Sequence, residues 1–157
     1  MKVKIGDIAP DFKLTNQEGV EVNLYDYIGE KIVVLFFYPK DNTPGCQKQA
    51  CAFRDSYEIF QDQGAEVIGI SSGNQDSHVD FSTRNNLPFD LLSDVEGGAR
   101  KLFGVPKSLG ILPGRVTYII DTDGEILDVF ESQFKFSGHV TNAIEVIKSH
   151  KNRLNIQ

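Results

Sequence analysis

The chain has 157 residues, 40% hydrophobic and 24% charged, proportions ordinary for a soluble globular protein and a length that can bury a core without cross-links. Its net charge of −6, with no basic cluster, argues against nucleic acid or an anionic membrane surface as partner. The longest unbroken apolar run, Ile32 to Tyr38, is far too short to span a bilayer, and the opening MKVKIGDIAPDF lacks the apolar core of a signal peptide.

Asp11 to Thr15 and Val20 to Leu24 alternate in polarity around a short Gly-containing loop, which predicts a β-hairpin. Leu24 to Ile28 reads as a short turn or helix. Ile32 to Tyr38 is continuous and rich in aromatic and β-branched residues, the pattern of a central strand buried on both faces. Thr43 then fits a helix N-cap and Pro44 a first helical position, where a missing N–H costs nothing. Ala50, Phe53, Tyr57 and Phe60 recur at spacings of three and four, predicting one helix that runs to Gly64.

Ala65 to Ser71 reads as a second central strand, Ser77 to Asn86 as a helix stopped by Pro88, Phe89 to Leu92 as a short strand, and Glu96 to Phe103 as a helix. Gly104 to Gly114 reads as a loop, either a plain connection or a lip over a site. Val116 to Ile120 and Glu125 to Phe130 flank the tight turn Asp121 to Gly124, and residues 138 to 150 form a last helix. No repeat or linker interrupts this order, so one α/β domain is expected over 1–157, with helices flanking a central mixed sheet and a β-hairpin extension at the N-terminus. The closing hairpin and helix are those a thioredoxin-like topology requires.

The chain holds two cysteines, Cys46 and Cys51, too few for a disulfide framework. An intracellular reducing setting is therefore expected, where a cysteine pair is more often catalytic or metal-binding than structural. Cys46 falls at a strand-to-helix corner, where open α/β sheets place their chemistry. Unpaired N–H groups and the positive end of the helix would surround its sulfur, and both favour the nucleophilic thiolate over the thiol. The Thr43 hydroxyl can donate to the sulfur or to a substrate oxygen, and Pro39 and Pro44 stiffen the corner. The alternative for a cysteine in this position, taken alone, is a small core residue. Cys51 lies five residues on, with its Cα about 8 to 9 Å away on another side of the helix. A disulfide needs less than about 7 Å, so the two can bond only if the first turns unwind.

At these residues the sequence resembles the peroxiredoxins. Pro39-Lys-Asp-Asn-Thr43-Pro-Gly-Cys46 matches their pattern of Pro, three residues, Thr or Ser, two residues, Cys, and Gln-Lys-Gln-Ala-Cys51-Ala-Phe-Arg-Asp55 is similar to the Q type, or bacterioferritin-comigratory protein. Gly6 to Phe12, Gly69 to Ser71, Leu91 to Asp94 and Arg115 to Asp121 extend the match along nearly the whole chain. The resemblance implies a thioredoxin fold with an N-terminal extension. It also implies reduction of hydrogen peroxide and organic hydroperoxides without metal, haem or other cofactor. It makes Cys46 the peroxidatic nucleophile and Cys51 the resolving thiol of an intramolecular disulfide, recycled by thioredoxin, with Pro39, Thr43 and Arg115 completing the site. A monomer would suffice, with a dimer as the alternative, and the expected location is the cytoplasm unless a targeting peptide has been removed. Many members carry Thr or Ser at position 47 and Glu at 49; here both are Gln, so no role for a carboxylate at 49 carries over.

Other features have plainer readings. His78, His139 and His150 are scattered, without metal-ligand spacing to a cysteine. Gly97-Gly98 lacks the lysine of a phosphate-binding loop. Phe134 and Phe136 alternate ahead of the last helix and are expected to pack, with a partner surface as the alternative. Two other functions fit a cysteine pair on a helix that must open: a thioredoxin-like disulfide reductase, weakened by the absence of C-x-x-C, and a non-enzymatic redox sensor or chaperone.

Overall fold

The computed structural model describes residues 2–108 and 112–156. Seven strands form one mixed sheet. They are β1 (Lys13–Thr15), β2 (Glu21–Asn23), β3 (Ile32–Phe37), β4 (Ala65–Ser71), β5 (Asp90–Ser93), β8 (Val116–Ile120) and β9 (Ile126–Glu131), in the order β2-β1-β5-β4-β3-β8-β9. The short pair β6 (Lys107–Ser108) and β7 (Leu112–Pro113) stands apart. β3, β4 and β5 run parallel, and β1 and β8 pair antiparallel to their outer edges.

The helices are α1 (Pro44–Asp55), α2 (Tyr57–Asp62), α3 (Gln75–Asn85), α4 (Gly98–Phe103) and α5 (Gly138–Ile156). Every side chain of β3 is buried, and strand alternation divides them between two cores. Val34, Phe36 and Tyr38 pack with Ala50, Phe53, Phe60, Phe81, Ala143 and Ile147 of the α1, α2, α3 and α5 layer. Val33, Leu35 and Phe37 pack with Phe103 of α4 and with Phe12 and Leu24 of the N-terminal segment. This is the thioredoxin-like arrangement expected from the sequence.

The differences are local. The single helix expected up to Gly64 is broken at Ser56, whose N–H is shared between the Ala52 and Phe53 carbonyls. The break lets the Tyr57 hydroxyl donate to Glu66 Oε1 at 2.7 Å while Phe60 stays against Phe53, ring centroids 5.9 Å apart. α3 starts two residues before Ser77, because the Asn74 side chain accepts from the Ser77 N–H and caps it. α4 begins at Gly98, after Gly97 in the left-handed conformation. α5 continues past residue 150. The expected loop 104–114 carries β6 and β7; its residues 109–111 lie outside the described residues.

Candidate active site

β3 ends at Phe37 and hands the chain to a tight corner, Tyr38 to Thr43, before α1 begins. The corner is fixed from inside. The buried Tyr38 hydroxyl donates to Asp41 Oδ1 at 2.6 Å, and Ser77 Oγ donates to Asp41 Oδ2 at 2.7 Å. His78, fully buried, sets Nδ1 2.6 Å from the same Oδ2 and Nε2 3.0 Å from the Leu92 carbonyl. Both ring nitrogens face oxygen atoms. Burial alone would raise the Asp41 pKa, but the hydrogen bonds from His78, Tyr38 and Ser77 and the His78 charge outweigh it and hold the carboxyl below its usual value.

Cys46 sits in the first turn of α1, 1% exposed and reduced. Among the described residues, the backbone N–H groups of Gly45 and Cys46 have no hydrogen-bond partner; the first bond of the helix runs from the Gln47 N–H to the Thr43 carbonyl at 2.8 Å. Thr43 takes the N-cap position in backbone conformation, yet its side chain does not cap. Its hydroxyl donates instead to the Lys40 carbonyl at 3.0 Å, closing the corner. The expected side-chain cap is therefore absent, and the first-turn N–H groups stay available to another acceptor. Pro39 lies half-buried at the start of the same corner.

Arg115, immediately before β8, is 5% exposed. NH1 donates to Gln49 Oε1 at 2.6 Å, Nε donates to the Gln133 carbonyl at 3.1 Å, and the guanidinium lies over the Phe136 ring at 4.8 Å. A Cβ on Gly45 would stand 2.7 Å from the Phe136 ring and 3.2 Å from Arg115 NH2. Arg115 is thus packed against the residue preceding Cys46. Gln49 is fully buried, and its Nε2 has no partner among the described residues.

Two groups to which the sequence assigned no role hold this arrangement. Arg100 of α4 donates to the Tyr38 carbonyl at 3.3 Å and to the Gly114 carbonyl at 3.2 Å, tying the residue before Pro39 to the residue before Arg115. Burial lowers its pKa, partly offset by Asp94. His139 of α5 sets Nδ1 2.8 Å from Thr117 Oγ1 and donates from Nε2 to the Ser132 carbonyl at 2.8 Å. It anchors the segment whose next residues supply the Gln133 carbonyl and Phe136. Neither stands in a motif, so no sequence signal marked them.

Cys51 is half-buried further along α1, also reduced, with its thiol 3.5 Å from Asn85 Oδ1. It lines an open groove of about 580 Å³ with Lys48, Asp55, Phe134 and Phe136. Phe134, expected to pack, is 80% exposed. Among the described residues, no group of three or more His, Cys, Asp or Glu side chains could hold a metal ion, and no helix is long and apolar enough to cross a membrane.

The model of the AhpC/TSA family matches residues 5–129. The chain belongs to that family, the peroxiredoxins. It is 48% identical over 151 residues to the chloroplastic peroxiredoxin Q of Sedum lineare, covering 96% of this chain and 81% of that one. It is 50% identical over 149 residues to the chloroplastic peroxiredoxin Q of Arabidopsis thaliana, covering 94% and 68%. Among solved structures, the peroxidoxin BcpB of Mycobacterium tuberculosis superposes with a TM-score of 0.87 at 37% identity, covering 94% of this chain and 97% of that one. A cysteine-to-serine variant of the Xylella fastidiosa peroxiredoxin Q gives 0.88 at 28%, covering 96% and 99%. The chain is a peroxiredoxin of the Q type and a thiol-dependent peroxidase.

Proposed function

We propose that Cys46 is the peroxidatic nucleophile of this peroxidase and Cys51 its resolving thiol. The observation that carries the first role is the packing of Arg115 against Gly45, at a helix start whose N–H groups are unpaired. The Cys46 thiolate attacks one oxygen of the hydroperoxide, the O–O bond breaks, and the sulfur is oxidised to a sulfenic acid. Negative charge grows on the departing oxygen, which leaves as water or alcohol after taking a proton. Arg115, permanently charged, and the Gly45 and Cys46 N–H groups are donors already in place for that charge. Pro39 and Thr43 shape the corner in which the peroxide lies, and the Thr43 hydroxyl oxygen is available to accept from the protonated end of the substrate.

Cys51 then condenses with the sulfenic acid, forming one S–S bond and releasing water. Both cysteines lie in one continuous helix, five residues and a rise of about 7.5 Å apart, so α1 must unwind first. An external dithiol of the thioredoxin type returns both sulfurs to thiols by exchange, becoming a disulfide itself. A monomer can complete this cycle. We place it in a thiol-reducing compartment, of which the cytoplasm is the simplest; the plant relatives are named chloroplastic.

Mass spectrometry after one equivalent of hydrogen peroxide tests the assignment. One chain is expected to lose two hydrogen atoms with Cys46 and Cys51 linked. Cys46→Ser should consume no peroxide. Cys51→Ser should be oxidised once and fail to turn over with thioredoxin; normal cycling by Cys51→Ser would sink the intramolecular disulfide.

A further inference from the structure

α1 presents two neighbouring stripes. Cys46, Ala50 and Phe53 face the core. Gln47, Cys51 and Arg54, one residue further round at helical spacings of four and three, all reach a single residue of α3. Asn85 is 6% exposed, and its Nδ2 donates to the Phe81 carbonyl at 2.9 Å, which turns Oδ1 toward α1. That oxygen accepts from Gln47 Nε2 at 3.0 Å and from the Cys51 thiol at 3.5 Å. The Asn85 carbonyl accepts from Arg54 NH1 at 2.6 Å.

We propose that Asn85 is a positioning residue for the resolving thiol, a latch that holds Cys51 within folded α1 and sets the rate at which the helix opens to let it reach Cys46. The proposal rests on the reading of Cys51 as the resolving thiol. It gives Gln47, which departs from the common family pattern, a definite partner. Once Cys46 is a sulfenic acid, two reactions compete for it. Condensation with the Cys51 thiol gives a disulfide and water. Attack on a second hydroperoxide gives a sulfinic acid and water or alcohol, and leaves the cycle. Condensation needs α1 unwound; the second oxidation proceeds in the folded helix. A tighter latch therefore favours over-oxidation, and a weaker one favours the disulfide.

Rapid quenching followed by mass spectrometry separates the steps: sulfenic acid trapped by a dione reagent, disulfide by its mass, sulfinic acid at rising hydrogen peroxide. Asn85→Ala is expected to form the disulfide faster by on the order of tenfold, and the exposed Gln47→Ala by roughly threefold, as lost net hydrogen bonds would allow. Both should need proportionally more peroxide to reach the same sulfinic fraction, while the sulfenic acid forms at the wild-type rate. The double variant should be no faster than Asn85→Ala, because both remove one latch. Tyr57→Phe, which loses the bond to Glu66 beyond the break at Ser56, should leave the resolving rate unchanged. Wild-type resolving rates in the Asn85 and Gln47 variants, or equal acceleration by Tyr57→Phe, overturn the latch. A wild-type protein that forms no Cys46–Cys51 disulfide overturns the latch and the resolving role together.

Discussion

Gly45 shows how closely this site depends on one absent atom. A methyl group there would meet the Phe136 ring at 2.7 Å and Arg115 NH2 at 3.2 Å, distances that force the ring, and the guanidinium stacked on it, to move. Gly45→Ala is expected to slow peroxide reaction by roughly tenfold or more, since displaced electrostatic donors lose most of their value. Its stability cost should stay at about 1–3 kcal/mol, the usual range for overpacking. Stopped-flow oxidation and urea unfolding on one preparation check the pair; an unchanged rate would show that Arg115 does not act on the reacting oxygens. Arg115→Lys is the complementary change. The lysine keeps the charge but cannot reach the Gln49 and Gln133 oxygens at once or lie flat over Phe136. A rate loss of at least roughly tenfold is expected, with Cys46 still the first residue oxidised, because one donor removed from such a site typically costs about 100-fold. Retention of the wild-type rate would mean that charge alone suffices.

At the scale of elements, the break at Ser56 defines where unwinding should stop. α1 packs its start against Arg115 and Phe136, whereas α2 is held separately by Phe60 in the core and by Tyr57 on Glu66. Oxidation to the disulfide is expected to abolish amide-exchange protection over residues 44–54 while 57–62 keep theirs. Protection lost equally in both segments would make them one cooperative unit. This boundary was not legible in the sequence. The spacing of Ala50, Phe53, Tyr57 and Phe60 satisfies one helix as well as two, and the bond from Tyr57 to Glu66 that accompanies the break joins residues nine apart through the folded sheet. The central strands were legible because burial on both faces leaves a largely apolar run: β4 and β8 fall where their sequences place them. Cys46, Thr43 and Arg115 could be named from a motif. The Thr43 hydroxyl could not be followed, because its donation to Lys40 depends on a turn no local pattern encodes. The roles of Asn85, Arg100, His78 and His139 could not be read for the same reason, their partners lying far away in sequence and joined only by the folded sheet.

Across the whole molecule, these buried polar groups make stability depend on acid in a defined order. Removal from water is the main cause that lowers the His139 pKa; the bond to the Ser132 carbonyl opposes it, the Arg115 charge adds to it, and the result is about 4 against an ordinary 6.5. A folded-state pKa below the unfolded one means that the unfolded chain binds the proton first. The contribution of neutral His139 is therefore complete above about pH 6.5 and is lost as pH falls toward 4. The loss amounts to about 3 kcal/mol, at 1.36 kcal/mol per pKa unit. Asp41, also held below its ordinary value of 3.8, acts in a lower window: its contribution is present above pH 3.8 and disappears only as pH drops further. Between pH 6.5 and 4 the decline should thus belong to the histidine that anchors the Arg115 segment, before the pair beneath the cysteine corner begins to fail. His139→Gln, unable to take a proton, is expected to start less stable at pH 7 and to lose about 3 kcal/mol less than wild type over that window. Urea unfolding at pH 7, 5.5 and 4 measures both slopes; parallel declines in the two proteins would remove His139 as the cause.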